Sequence, residues 1–182
     1  MDIAFLAHLP AREKCMTRTL LAWLLFLPAV LTPALSLAAD PNVAMLSVVG
    51  MNGAEIRITA DKWAALPRES VDVIDHSGSP AHFEGVSGRE VLKLAGAPLD
   101  KALRGANLAV FVVAEAADGY RVVYSLAEFD SGFKDAPILV ADKKDGKALA
   151  AEEGPLRIVV PGEKRQGRWT RQLVALKLGI AR

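Results

Sequence analysis

Residues 154–162 read GPLRIVVPG, and this stretch decides the fold prediction for the chain. Its middle is an apolar, largely β-branched run, which is typical of a short buried strand. Gly154-Pro155 precedes the run and Pro161-Gly162 follows it, and both pairs favour turns. Arg168-Trp169 comes shortly afterwards and leads into a second apolar run at residues 170–178. The C-terminal part of the chain is therefore predicted to contain two short strands joined by a loop.

Seven more runs upstream have the length and composition of strands. They cover residues 45–49, 55–59, 70–75, 81–84, 108–114, 120–125 and 138–141. Asn52-Gly53 and Asp118-Gly119 separate pairs of these runs, and such dipeptides tolerate the positive φ of tight hairpins. A parallel sheet would need longer crossovers between successive strands. We expect an α+β fold with a mostly antiparallel or mixed β-sheet and a few short helices.

The expected helices are short and have recognisable ends. Residues 61–66 predict a helix that ends before Pro67, because proline disfavours helical geometry in the residue before it. Residues 88–95 predict another helix, and Ser87 and Glu90 have the spacing of a capping box at its start. Ser125 and Glu128 repeat this spacing and predict a single helical turn.

The composition describes a globular protein. The 182 residues include 22 basic and 21 acidic side chains, and 52% of them are apolar. The near-neutral balance argues against nucleic-acid binding through a broad positive field. The apolar content excludes a disordered chain. We find no repeat or linker, so residues 40–182 are expected to form one domain.

Residues 1–39 have the order of a secretory signal peptide. Basic residues precede an apolar run at 20–31, which Pro28 interrupts, and small residues follow it at Ser36, Ala38 and Ala39. We expect cleavage after Ala38 or Ala39 and a periplasmic or secreted product, attached to a membrane only through an uncleaved leader. Cys15 is the single cysteine and precedes the apolar run, so no lipid anchor is expected.

The stretch 154–162, together with Arg168-Trp169, resembles the C-terminal signature of the sulfite-oxidase-type oxidoreductase molybdopterin-binding domain family. The resemblance extends upstream, in the same order, through segments that together span roughly residues 55–178. These segments are 66–67 (LP), 83–86 (FEGV), 92–98 (LKLAGAP), 117–120 (ADGY) and 125–126 (SL). The resemblance implies the fold of that domain and a molybdopterin cofactor.

One residue that the resemblance implies is missing. In the full-length enzymes of the family, a cysteine thiolate on the strand before Gly85-Val86 holds the molybdenum, whereas here residues 73–76 read VIDH. A soft sulfur ligand is what such a metal centre would lose. We therefore assign no catalytic residue and expect that binding persists without redox catalysis.

The resemblance implies that the basic loop after Pro161-Gly162 lies near the phosphate of the pterin. We assign five cofactor-binding candidates from the residues and the resemblance: His76, Arg157, Lys164, Arg165 and Arg168. Arginine suits phosphate and other oxyanions because its planar fork donates two hydrogen bonds. In the alternative interpretation, the basic loop is a solvated surface whose charges offset nearby acidic residues. Arg157 would then face solvent or pair with a carboxylate.

Other kinds of site have weaker support. If residues 77–80 form the loop of a hairpin, Asp75 faces His82 and the two could approach one ion. A third ligand is lacking, so we expect an exposed polar hairpin and no metal site. Ser87 is not part of a G-x-S-x-G motif, which argues against a serine hydrolase. Glycine-rich phosphate loops are absent from the sequence.

Three hypotheses for the function remain open. The first is an exported binding module for a small anion, a pterin-like molecule or another exported protein. The second is a molybdenum-cofactor oxidoreductase in which Asp75, His76 or a water replaces the thiolate. The third is an accessory or sensory domain that binds another protein.

Overall fold

The computed structural model describes residues 43–181, which contain ten strands and two α-helices. The helices are α1 (Ala60–Ala64) and α2 (Gly88–Leu94), and four short 3-10 turns occur at Asp100–Ala102, Gly105–Ala109, Leu126–Phe129 and Gln166–Arg168. The strands are β1 (Ala44–Val49), β2 (Glu55–Thr59), β3 (Arg68–Ile74), β4 (Pro80–Ser87), β5 (Val110–Ala116), β6 (Arg121–Ser125), β7 (Leu139–Lys144), β8 (Lys147–Ala148), β9 (Arg157–Val159) and β10 (Leu173–Ile180).

The strands form two sheets. The order is β2-β1-β10-β5-β6 in the first sheet and β3-β4-β7-β8 in the second, where β9 also pairs with β7. β1 and β10 pair in parallel, and the other strand pairs of the described chain are antiparallel. The prediction of an α+β fold with mostly antiparallel or mixed sheets is confirmed.

The buried side chains of both sheets belong to one continuous apolar cluster. β5 alternates between buried and half-buried residues, which is the pattern of a strand with one face on the core. β9 is buried along its whole length, as the run in residues 156–160 predicted. The Ile158 amide also donates to the Thr170 carbonyl at 2.8 Å, so the backbone of β9 is bonded on its other side as well.

Of the two predicted capping boxes, one is present. Thr59 caps α1 by accepting a hydrogen bond from the Lys62 amide, and the Ser125–Glu128 capping box is present. The capping box predicted at Ser87 is wrong, because the Ser87 side chain makes no cap hydrogen bond. Ser87 is the buried last residue of β4, and the Gly88 amide next to it donates to the Ile138 carbonyl on the neighbouring chain segment.

The hairpin between β3 and β4 has a different register from the predicted one. Asp72 lies opposite His82, so the expected pairing of Asp75 with His82 is wrong. Asp75 starts the turn itself: its amide donates to the Ser79 carbonyl, and its carboxylate accepts from the Ser77 amide at 2.9 Å. Aspartate is favoured at this turn position because its short side chain bonds the backbone two residues ahead.

Two strands begin two or more residues later than their apolar runs suggest. Leu108 belongs to the 3-10 turn Gly105–Ala109, so β5 starts at Val110. Gln172 has a φ of 47°, which is incompatible with a strand, and β10 therefore starts at Leu173 instead of residue 170.

The predicted leader, residues 1–39, lies outside the described residues, and its cleavage remains a prediction. The described residues all fall in one compact unit, Ala38–Arg182. Within residues 43–181, no helix has the length and apolar character that crossing a bilayer requires.

Gly85 allows the close approach of β4 and β7. A Cβ atom at this position would overlap the backbone carbonyl of Val140 and the Cα of Ala141. We expect Gly85→Ala to lower the free energy of unfolding by about 3 kcal/mol, because neither backbone can move without breaking the ladder. Urea unfolding of this variant and of Gly167→Ala checks the expectation, since a Cβ at Gly167 would meet nothing within 4 Å. Equal unfolding midpoints for the two variants would contradict it.

Candidate functional site

A cavity of about 400 Å³ opens where loops of both sheets meet. Its walls come from the turn after β3, the connection between β5 and β6, the segment that leads into β9, and the loop between β9 and β10. We call it the arginine cavity, and the residues that line it are His76, Ala116, Asp118, Tyr120, Glu153, Arg157, Gln166, Gly167, Trp169 and Arg171.

Arg157 is a buried cation beside this cavity, with a relative exposure of 3%. Its Nη1 donates to Glu153 Oε1 at 2.7 Å, so it pairs with a carboxylate and does not face solvent. The guanidinium carbon lies 5.4 Å from the ring centre of Phe83 and 5.3 Å from that of Trp169. Both distances are within the range of cation–π attraction. The buried strand β9, which carries Arg157, and the two rings thus hold the guanidinium in one orientation.

Two buried nitrogen atoms in the cavity wall lack a hydrogen-bond partner within the described residues. They are Nε of Arg157 and Nε1 of Trp169. Trp169 is buried and packs edge-on against Phe83, with ring centres 6.1 Å apart. Leaving a buried donor without an acceptor costs about 1–3 kcal/mol. Gln166 Oε1, an acceptor in the same wall, is also buried without a partner among the described residues, so the wall leaves both donors and an acceptor unsatisfied.

The loop between β9 and β10 is fixed over the cavity by hydrogen bonds to both sheets. The Tyr120 hydroxyl donates to the Gly167 carbonyl at 2.6 Å, and Gln166 Nε2 donates to the Ile74 carbonyl at 2.7 Å. Asp118 Oδ1 accepts from the Tyr120 amide at 2.8 Å and shapes the turn that carries the tyrosine. These contacts preform the wall of the cavity.

His76 is the predicted site residue that connects the cavity with a neighbouring groove of about 540 Å³. We call this second space the lysine groove, and its lining comprises Ile74, Asp75, His76, Gly78, Glu163, Lys164, Arg165 and Gln166. Of the five predicted residues, His76 and Arg157 line the cavity, while Lys164 and Arg165 line the groove. The structure therefore separates candidates that are close together in the sequence.

Arg168 lies in neither space. Its Nε donates to Glu163 at 2.6 Å and its Nη2 donates to Glu128 at 2.8 Å, and its guanidinium stacks over the Tyr124 ring. The hydrogen bond to Glu128, helped by Glu163, raises the pKa of Arg168. The guanidinium holds its loop on the 3-10 turn Leu126–Phe129, and a ligand-binding role for Arg168 stays a prediction.

Asp75 fixes the turn that carries His76. Its buried carboxylate contacts Lys144 Nζ and His76 Nδ1 and accepts the Ser77 amide. Burial alone would raise the pKa of Asp75, but the hydrogen bond from Lys144, the Ser77 amide and the charge of Lys144 together lower it to about 2. The carboxylate is therefore ionised over the whole physiological range and anchors the turn that presents His76.

Sequence reasoning missed several residues that line the cavity. They are Tyr120, Glu153, Gln166, Trp169 and Arg171. The available signal was the spacing of Glu153 and Arg157, four residues apart, together with the ADGY motif at 117–120.

The other histidine of the described chain belongs to the surface of the second sheet. His82 Nδ1 lies 2.7 Å from Asp72 Oδ1 on the β3–β4 ladder, and this hydrogen bond raises the pKa of His82. Among residues 43–181, no three histidine, cysteine, aspartate or glutamate side chains converge as a metal site would require.

Comparison with known proteins gives one family match. The family model described as the oxidoreductase molybdopterin binding domain matches residues 37–178. Among solved structures, the fold is similar to that of the sulfane dehydrogenase SoxCD from Paracoccus pantotrophus, with a TM-score of 0.58 and 16% sequence identity. The similarity covers 75% of this chain and 38% of the SoxCD chain, so this chain spans well under two thirds of that protein. No curated protein sequence matches the chain.

The ionised Asp75 predicts a specific acid sensitivity. Its folded pKa of about 2 is below the value of about 3.8 expected when unfolded, so its stabilisation is complete above the unfolded value and is lost as the pH falls from about 4 to about 2. We expect Asp75→Asn to lower the free energy of unfolding at pH 7 by about 2 kcal/mol. Urea unfolding from pH 2 to pH 7 measures this effect, with the exposed Asp61→Asn as the matched control. A stability curve for Asp75→Asn that parallels the wild-type curve would refute the assignment.

Proposed function

The chain belongs to the oxidoreductase molybdopterin-binding domain family, and we propose that it is an exported binding module for a small anion or a pterin-like ligand, without redox catalysis of its own. The observation that carries the proposal is the pair of unpartnered donors, Arg157 Nε and Trp169 Nε1, in the wall of the arginine cavity. A ligand oxygen placed there would satisfy both donors.

The part of the family's cofactor that carries acceptor oxygen atoms is compatible with the donors of this cavity. Arg157 is held rigidly by two rings and Glu153, so it loses little freedom when it binds an oxygen. Arg171 and His76 contribute further donors at the exposed side, and the Tyr120–Gly167 hydrogen bond keeps the wall in place. These residues would hold and orient the ligand and exclude water from its buried edge.

The metal end of the cofactor does not fit. Residues 43–181 contain no cysteine, and the stretch 73–76, where the resemblance implies the thiolate, provides Asp75 and His76 instead. Asp75 is already neutralised by Lys144. Residues 43–181 therefore offer no cysteine thiolate for a molybdenum centre of this type, and we assign no redox step to them.

The second candidate function, a molybdenum enzyme with a non-cysteine metal environment, rests on the family membership and on His76. The His76 imidazole lines the cavity, and histidine is a common metal ligand. The third candidate, a domain that only binds protein, has less support. It would be favoured by a basic loop packed wholly on its own acidic residues, and here only Arg168 is engaged in this way.

Substitution of the cavity arginines tests the proposal. We expect Arg157→Lys and Arg171→Gln each to weaken sulfate binding about tenfold, because each removes a charge-assisted hydrogen bond to the anion. Arg57→Gln, at an exposed position of β2, is the control and should bind as the wild type does. Isothermal titration of the full chain with sulfate and with pterin-6-carboxylate provides the measurement. Wild-type affinity in both cavity variants would disprove the anion site.

Material purified from its own cells distinguishes the first two candidates. We expect native mass spectrometry to detect a bound small molecule, and elemental analysis to find molybdenum far below one atom per chain. Stoichiometric molybdenum that remains bound through dialysis would instead establish the second candidate. The same elemental analysis of a His76→Ala variant, expressed in those cells, would then show whether the imidazole holds the metal.

A further inference from the structure

The strands at the ends of the two sheets differ in how they are protected from pairing with another chain. These end strands are β2 and β6 in the first sheet and β3 and β8 in the second. Natural sheet edges are protected by charged side chains or by short strands. β3 exposes several charged residues, β2 exposes Glu55 and Arg57, and β8 has only two residues. β6 is the exception, because Val123, with a relative exposure of 58%, lies at the middle of its edge.

The free edge of β6 is formed by alternate residues. The Tyr120 carbonyl accepts from the Ala116 amide of the same hairpin, so the backbone of Tyr120 faces β5. Backbone groups alternate between the two sides of a strand, and those of Arg121, Val123 and Ser125 therefore point away from β5. Within the described chain, β6 has no neighbouring strand on that side.

A side chain closes one end of this edge. Glu128 Oε1 accepts from the Ser125 amide at 3.0 Å, so the carboxylate occupies the place that another strand would need there. The backbone groups of Arg121 and Val123 remain available. A strand that paired with β6 would therefore bond these two residues.

The two residues are complementary to a second copy of themselves. In an antiparallel pair centred on Val122, Arg121 lies opposite Val123 of the second copy, and each amide can donate to the opposite carbonyl. The Arg121 side chain then lies beside an apolar residue and not beside another arginine. It is also diagonally opposite Ser125 of the second copy, where the Glu128 carboxylate provides the opposite charge.

We propose that the β6 edge is an interface at which two copies of this chain pair and join their first sheets into one continuous sheet. Arg121 is balanced by Glu115 at 3.0 Å within its own chain, so the pairing buries no unpaired charge. The contact is small, which places it among the weak and reversible interfaces. Residues 121–125 line neither the arginine cavity nor the lysine groove, so the inference is independent of the proposed ligand.

Sedimentation equilibrium of the full chain tests the association. We expect a reversible monomer–dimer equilibrium with a dissociation constant of about 100 µM. Val123→Lys should weaken dimerisation at least about tenfold, because it places a like charge opposite Arg121 of the second copy. Val174→Lys makes the same change at an exposed position of β10, the central strand of the sheet, and should dimerise as the wild type does.

Disulfide cross-linking tests the register of the pair. Opposite residues at a hydrogen-bonded position of an antiparallel pair have Cα atoms about 5.5 Å apart, which a disulfide can span. In a Cys15→Ser background, Arg121→Cys combined with Val123→Cys should form covalent dimers on mild oxidation. Each of the two substitutions alone should leave the chain uncrosslinked, because identical residues are not opposite each other in this register.

The outcomes decide the inference without affecting the proposed function. A wild-type chain that stays monomeric at about 1 mM would overturn it, and so would an unchanged dissociation constant in Val123→Lys. Equal cross-linking by the single and double cysteine variants would also overturn it, because the pairing would then lack the inferred register. If Val123→Lys does not fold, wild-type sedimentation and the cross-linking comparison still decide the matter. Ligand binding to the arginine cavity is measured separately and does not depend on these results.

Discussion

A single guanidinium, that of Arg157, is the charge around which this end of the molecule is arranged. It lies in a strand that is buried along its length, so it is withdrawn from water and must be compensated locally. Phe83 from the second sheet and Trp169 from the loop after β9 provide the ring faces, and Glu153 provides the opposite charge. Because these residues come from three chain segments, the buried cation fixes the relative positions of the segments and creates the cavity between them.

The basic residues of the loop between β9 and β10 have different surroundings and different roles. Arg168 is engaged by Glu128 and Glu163 and carries the loop on the 3-10 turn of the first sheet. Lys164 and Arg165 face a separate groove, and Arg171 lies at the edge of the cavity. Basic residues that are close together in the sequence therefore occupy three different places. Arg168 forms structural ion pairs, Lys164 and Arg165 line the groove, and Arg171 lines the cavity.

The sequence predicted the sheets better than the site, and the reasons are physical. Strands such as β2 and β9 could be predicted because alternation and burial of apolar residues are local properties of the chain. The predicted Ser87 cap was wrong, because the Gly88 amide bonds the Ile138 carbonyl of another segment and Ser87 makes no cap hydrogen bond. The predicted register at Asp75 was wrong because the Asp75 carboxylate bonds the Ser77 amide within the turn, which composition does not reveal. The cavity depends on long-range contacts, such as that of Tyr120 with Gly167, which spacing along the chain does not encode.

The two ends of the cavity differ in how far the described residues satisfy their polar groups. At the end where the resemblance implies a thiolate, Asp75 is committed to Lys144 and to the turn below His76, so this position now stabilises the fold. At the other end, Arg157 and Trp169 keep donors that no described residue satisfies. Unmet buried donors reduce stability and would be removed readily by substitution if they had no partner. Their presence together in the wall of one cavity, beside the unpartnered Gln166 Oε1, is the observation on which the proposed ligand binding rests.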